Sequence, residues 1–255
     1  LIHLLFALLV PGAGGFAMPA YRLAVGRSLH YTTELLSEPA DRPHSRTVLV
    51  RTFWPVAESA GFAVVVMRAD DTRLAAAADG SERAEPTKTR WGMFRLGADG
   101  TLGADDCPAD LHPSGLFPPL PSDTVAAKAG WGWFNAARGE STRLRLDNKT
   151  VADSAWMLTV GKKSAKDPAY NRWFDGRLTL DRARGLVTLV EARASDDYGG
   201  GPWRSSATTR LDSTAKFDPA EGRQLAASLG AFFSASGRAD SILEAAEESG
   251  DTTGA

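Results

Sequence analysis

Three adjacent carboxylate pairs, Asp70-Asp71, Asp105-Asp106 and Asp196-Asp197, are the residues best typed for acid–base chemistry. Cleaving a glycosidic bond needs two carboxyl groups facing each other about 5–9.5 Å apart, one of them in an apolar pocket that raises its pKa. Neighbouring residues of a strand point to opposite faces. Each pair also adjoins turn-forming residues, where Asx-turn hydrogen bonding accounts for clustered Asp. No catalytic carboxylate is expected among them. His30, His44 and His112 stand at no metal-ligand spacing from one another or from Cys107, so neither a metal ion nor a cofactor is expected. No Gly-x-Ser-x-Gly elbow marks a nucleophile. Gly199-Gly200-Gly201 leads through Pro202-Trp203-Arg204 back into strand, not into the helix a phosphate cradle requires, and predicts a hairpin tip. Cys107 lies between Asp106 and Pro108, where acidic neighbours disfavour a thiolate, and reads as a half-buried loop thiol.

The aromatic residues point elsewhere. Trp131 and Trp133 alternate with Gly130 and Gly132, which sends both indoles to one face and leaves the other face bare for close approach. Trp131, Trp133 and Phe134 are therefore the candidate lining of a site for an apolar or ring-stacking ligand. The competing expectation, for these and the other tryptophans, is core filling, because large aromatics dominate the interiors of β domains.

The elements that must position them are mostly strands. Tyr21–Val25, Ser28–Leu35, Arg46–Val56, Phe62–Arg68 and Trp91–Leu96 alternate or run apolar between clusters of Gly, Pro, Asp and Ser. Thr142–Leu146, Ala155–Val160, Asn171–Leu180, Leu186–Ala194 and Ser205–Leu211 repeat the style. Gly97-Ala98-Asp99-Gly100 predicts one tight hairpin. Asp181–Gly185 predicts another, with Leu178, Leu180, Val187 and Leu189 as buried candidates and Arg177, Thr179 and Arg193 facing out. Prolines crowd residues 104–122 and deny a ladder its donors, so this stretch reads as an extended crossover. Asp218-Pro219-Ala220-Glu221 predicts a capped helix over 219–235, with Leu225, Leu229, Phe232 and Phe233 on its docking face and Gly237 as its stop. Residues 236–255 read as an acidic tail or linker, with a second short helix over 240–248 as an option. The expected fold is mainly β: antiparallel curved sheets, sandwich or half-barrel-like, as one domain or two β subdomains, with a C-terminal α-helix.

Leu1–Val10 is uncharged and apolar, and Pro11–Gly15 breaks it before small residues at Ala17 and Ala20. Residues 1–20 thus read as a signal peptide, although no Lys or Arg precedes the apolar run. Ten residues at about 1.5 Å each span roughly half of a bilayer core, so no transmembrane span is expected in the mature chain. Export to the periplasm, cell envelope or medium follows. The net charge is −2 and no basic run exceeds Lys162-Lys163, which argues against a nucleic-acid partner.

Four short patterns occur in order: Tyr21, Leu23, Gly26, Leu29 and Tyr31; then Leu116–Pro121; then Trp131; then Gly176–Asp181. In this sequence they resemble a loose group of exported bacterial β-rich domains of unassigned function. The resemblance spans most of residues 21–211 and implies an antiparallel β architecture, sometimes followed by a partner domain. It carries over no catalytic residue, and Ala129-Gly130 before Trp131 departs from its usual polar Gly-Asp lead-in. The expectation is an exported, non-catalytic binding or scaffold domain for a small apolar ligand or another envelope protein. Two alternatives stay open. One is a cell-envelope hydrolase gathering an acidic residue with His30, His44 or His112; the other is an accessory module preceding a further domain.

Overall fold

A computed structural model describes residues 19–39, 44–76, 81–103, 107, 113–121, 129–135, 140–146, 155–164, 173–198 and 201–249. The leader expectation therefore rests on a segment of which residues 1–18 lie outside the described residues. The first strands are β1 (Arg27–Pro39), β2 (Ser45–Ser59), β3 (Phe62–Ala76), β4 (Glu82–Ala84) and β5 (Lys88–Gly97). After the proline-rich stretch come β6 (Trp131–Asn135), β7 (Glu140–Leu146), β8 (Ala155–Ser164) and β9 (Trp173–Asp181). Strands β10 (Leu186–Tyr198) and β11 (Gly201–Lys216) precede a helix α1 (Pro219–Ser249). The fold is mainly β and antiparallel, as the alternation predicts.

Among the described residues, eleven strands join one sheet in the order β4-β3-β2-β1-β11-β10-β9-β8-β7-β6, with β5 beside β4 on the outer edge of β3. The halves are not separate subdomains, because β1 lies between β2 and β11 and welds the start of the chain to its end. One face, the inner, carries the core: Leu29 and Tyr31 of β1, Phe53 of β2, Val65, Met67 and Ala69 of β3, Phe94 and Leu96 of β5, and Leu178 and Leu180 of β9. The outer face of β2, β3 and β5 takes α1, where Gly222 lies so close to Val56 that a Cβ would come within 2.8 Å of it.

Several local expectations change in the folded chain. Tyr21–Val25 is not a strand: the Tyr21 N–H donates to Ala98 and the Arg22 N–H to Gly185, tying two hairpin turns together. The Asp181–Gly185 hairpin forms, and Leu178, Leu180 and Val187 are buried. A bulge between Val187 and Leu189 then moves Val190, not Leu189, into the core. Asp70-Asp71 lies mid-strand rather than at a turn. Cross-strand partners hold the pair there: Thr89 Oγ1 donates to Asp70 at 2.6 Å, and Arg90 pairs with Asp71 at 3.2 Å. Asp218 caps α1 as expected, accepting from the Ala220 N–H at 2.8 Å. The helix nevertheless runs past Gly237 to Ser249 and takes in residues 236–249 of the stretch expected as a tail or linker. One glycine costs only about 1 kcal/mol in a helix, and Ala239, Leu243, Glu244, Ala245 and Ala246 are strong helix formers. Phe232 is 63 % exposed, on the flank of the seam that Gly222, Leu225, Leu229 and Phe233 follow, and its ring meets Phe233 at 5.7 Å.

Candidate ligand-binding face

The inner face is closed at one end by two crossing segments. The N-terminal segment brings Tyr21 and Leu23, and the proline-rich stretch brings Leu116, Phe117 and Leu120, into the core cluster. The Phe117 ring meets Tyr21 and Phe53 edge-on at 5.5 Å each and Tyr31 at 6.5 Å. Prolines leave carbonyls without competing donors on the same residues, and side chains use them. The Tyr21 hydroxyl donates to Pro118 O at 2.9 Å, and the Trp131 indole N–H donates to Pro119 O at 2.8 Å. The Leu120 N–H donates to Asp99 O at 2.6 Å. Residues 118–120 thereby bridge β6, at one end of the strand order, to the turn after β5, near the other. A flat sheet of this width, at about 4.8 Å per strand, would hold those ends tens of ångströms apart, so the sheet is curled around its core. Gly176 marks a tight part of the curl: a Cβ there would lie 2.6 Å from the Glu191 carbonyl oxygen.

Above this plug the inner face changes character. Register aligns Tyr31 with Arg51 and Leu211; the next inward row holds Asp71, Leu49, Thr33, Thr209, Val190 and Leu178. The row above contains Arg73, Thr47, Leu35, Ala207, Ala192 and Gly176, and continues in register across β8 to Leu144 and Trp131. Beyond it stand Ser37, Ser205 and Ala194. Side chains shrink from Tyr, Phe and Leu at the plug to Ala, Gly and Ser above it, and Leu35 is 37 % exposed. This stretch of the concave face, the trough, is lined by small and apolar side chains along β1, β11, β10 and β9 and carries Asp71 and Arg73 on β3.

The expected site residues fall unevenly on this geometry. Trp131 sits at the far end of the Leu35–Ala207–Ala192 row, partly buried against the core. Trp133 and Phe134 lie in β6, but their side chains are outside the described residues. None of the tryptophans described by side chain is fully buried. Trp54 and Trp91 stack at 5.9 Å on the outer face, with Arg68 over Trp91. Among the described residues the buried rings are those of Tyr21, Tyr31, Phe53, Phe94 and Phe117 instead. His30 hydrogen-bonds Ser28 at 3.0 Å and Thr52 at 3.3 Å on the outer face. His112, Asp105 and Asp106 lie outside the described residues. A cavity of about 490 Å³ opens between Tyr21–Ala24 and the β2–β3 turn, below the plug and away from the trough.

One inward residue escaped the sequence reading. Arg51 shares the parity of Leu49 and Phe53, so the alternation of β2 already placed a guanidinium on the apolar face. It makes no hydrogen bond or ion pair with any described residue, and its Nε is shut off from solvent without a partner. Burial presses its pKa below the usual arginine value; the nearby Cys107 thiol offsets this in part, and Arg90 adds to it.

No protein-family model and no curated protein matches the sequence. Among solved structures, lipovitellin, in a structure concerned with its lipid–protein interactions, is similar with a TM-score of 0.52 at 7 % identity. The similarity covers 77 % of this chain but 26 % of the lipovitellin chain, so this chain spans about a quarter of that protein's length. It is a likeness of fold. A putative exported protein with a YmcC-like fold from Bacteroides fragilis aligns over 78 % of this chain and all of its own, at 11 % identity. Its TM-score of 0.29 is too low to bear weight. No helix among the described residues is long and apolar enough to cross a membrane.

Proposed function

We propose that this chain is an exported, non-catalytic binding domain that holds an apolar ligand in the trough of its curled sheet. The observation that carries the reading is the row of Leu35, Ala207, Ala192 and Gly176 above the aromatic plug. A face that needed only to fill itself would continue the Tyr, Phe and Leu packing of the closed end. Small residues leave volume instead, and apolar volume open at one side is what small-molecule sites are made of. Trp131 ends the row and supplies a flat apolar wall. The sheet likeness to lipovitellin, a protein described by its lipid–protein interactions, is compatible with apolar cargo.

The test is native mass spectrometry of protein purified without detergent from an exporting host. A retained mass of a few hundred daltons, released on denaturation, is expected. The variant Ala207→Phe, which fills the trough, should emerge empty while keeping the wild-type circular dichroism spectrum. A wild-type protein that emerges empty and fails to take up a neutral apolar fluorophore would overturn the reading.

A further inference from the structure

Arg51 gives the trough a polarity. It stands where the packed core ends and the small-residue rows begin, in register with Tyr31 on one side and Ala69 on the other. Across Ala69 lies Arg90, also on the inner face, whose Nη2 is 3.2 Å from Asp71 Oδ2. Asp71, one inward row from Arg51, is thus engaged by Arg90; Cys107 is the described group that favours the Arg51 charge, and the Arg51 Nε has no hydrogen-bond partner. A guanidinium keeps its proton in a protein, so Arg51 retains its charge at a half-buried position on this face. Arginine also offers a planar fork of donors matched to carboxylate and phosphate oxygens. A strand position flanked by Leu49 and Phe53 would be better filled by Leu or Met if packing alone mattered.

Resting on the binding reading above, we infer that the ligand is an anionic amphiphile whose carboxylate or phosphate head is held by Arg51, with its apolar tail along the trough. The tail has room in one direction. From Tyr31 to Leu35 along β1 is four residues, about 13 Å at strand rise, leading away from the aromatic plug. The head therefore sits at the floor and the tail runs toward the open end, over Thr33, Leu35, Ala207 and Ala192.

Displacement of a neutral apolar fluorophore from the full, delipidated chain tests this with four probes: oleate, oleyl phosphate, oleyl alcohol and inorganic phosphate. Wild type should bind oleate or oleyl phosphate at least about tenfold more tightly than oleyl alcohol, the scale of one charge-assisted hydrogen-bonding pair. Arg51→Met should abolish that preference while oleyl alcohol still binds, and Arg51→Lys should restore part of it. A urea midpoint for Arg51→Met no lower than wild type establishes that the variant is folded. Equal binding of oleate and oleyl alcohol by wild type overturns the anionic head but leaves the apolar site standing. Failure of all three oleyl compounds to displace the fluorophore overturns both. Inorganic phosphate competing as well as oleyl phosphate would make the site one for a free anion and overturn the amphiphile.

Discussion

Replacing Phe117 with Ala tests whether the proline-rich stretch is a structural plug or a surface connection. Phe117 is fully buried and meets Tyr21, Phe53 and Tyr31 edge-on. Deleting a buried phenylalanine costs roughly 3–5 kcal/mol through lost transfer energy and the cavity left behind. Each edge-to-face aromatic contact is worth about 0.5–1.5 kcal/mol beyond area. Part of that is already counted in the cavity series, so about 4–5 kcal/mol is expected for the whole change. Against a total stability on the order of 5–15 kcal/mol, this is a large share. For a chain of this size it lowers Tm by roughly 10 °C or more. Equilibrium urea unfolding followed by tryptophan fluorescence measures it, with an unchanged slope required so that the midpoint shift reports stability. Leu35→Ala is the internal reference: its side chain is 37 % exposed in the trough, and its loss should stay near 1 kcal/mol. A cost for Phe117→Ala below about 1.5 kcal/mol, or equal to that of Leu35→Ala, refutes the plug.

Two further changes probe the curl and its bridge. Gly176→Ala places a methyl 2.6 Å from the Glu191 carbonyl oxygen, so the strands must shift at a cost of about 1–3 kcal/mol, read as a lower urea midpoint. An unchanged midpoint would mean that β9 and β10 are not tightly curled there. Asp99 accepts from the Thr101 backbone N–H at 2.9 Å and the Thr101 hydroxyl at 2.8 Å, and these bonds hold its carboxyl below the usual value of 3.8. A carboxyl depressed on folding contributes stability above its unfolded pKa and loses it as pH falls through the folded one. Wild type should therefore exceed Asp99→Ala in urea midpoint near neutrality, and the gap should shrink on acidification below about 3.8. A gap independent of pH would exclude that contribution.

Much of the sheet was legible because its determinants are local. Alternation around Leu178, Leu180 and Val187, the Asp99-Gly100 step and the Asp218-Pro219 cap each declare a conformation within a few residues. The strands and both hairpins followed from those signals. Arg51 was legible in principle, since parity with Leu49 and Phe53 faces it inward, but alternation says nothing about whether a partner waits there.

What only the tertiary structure decided is non-local. The bulge at Thr188 shifts the phase of β10 and exchanges Leu189 for Val190, because one extra residue flips every side chain beyond it. Gly237 did not stop α1, since its neighbours' helix propensity outweighs one glycine. Tyr21–Val25 has the composition of a strand, yet its donors went to the Ala98 and Gly185 carbonyls of distant turns. Most of all, Tyr21, Tyr31 and Phe117 are far apart in sequence but belong to one closed end of one sheet, to which Trp131 is tied through Pro119. Periodicity determines which face a residue occupies; only closure of the chain determines which residues on that face meet, and so where the packed core ends and the trough begins.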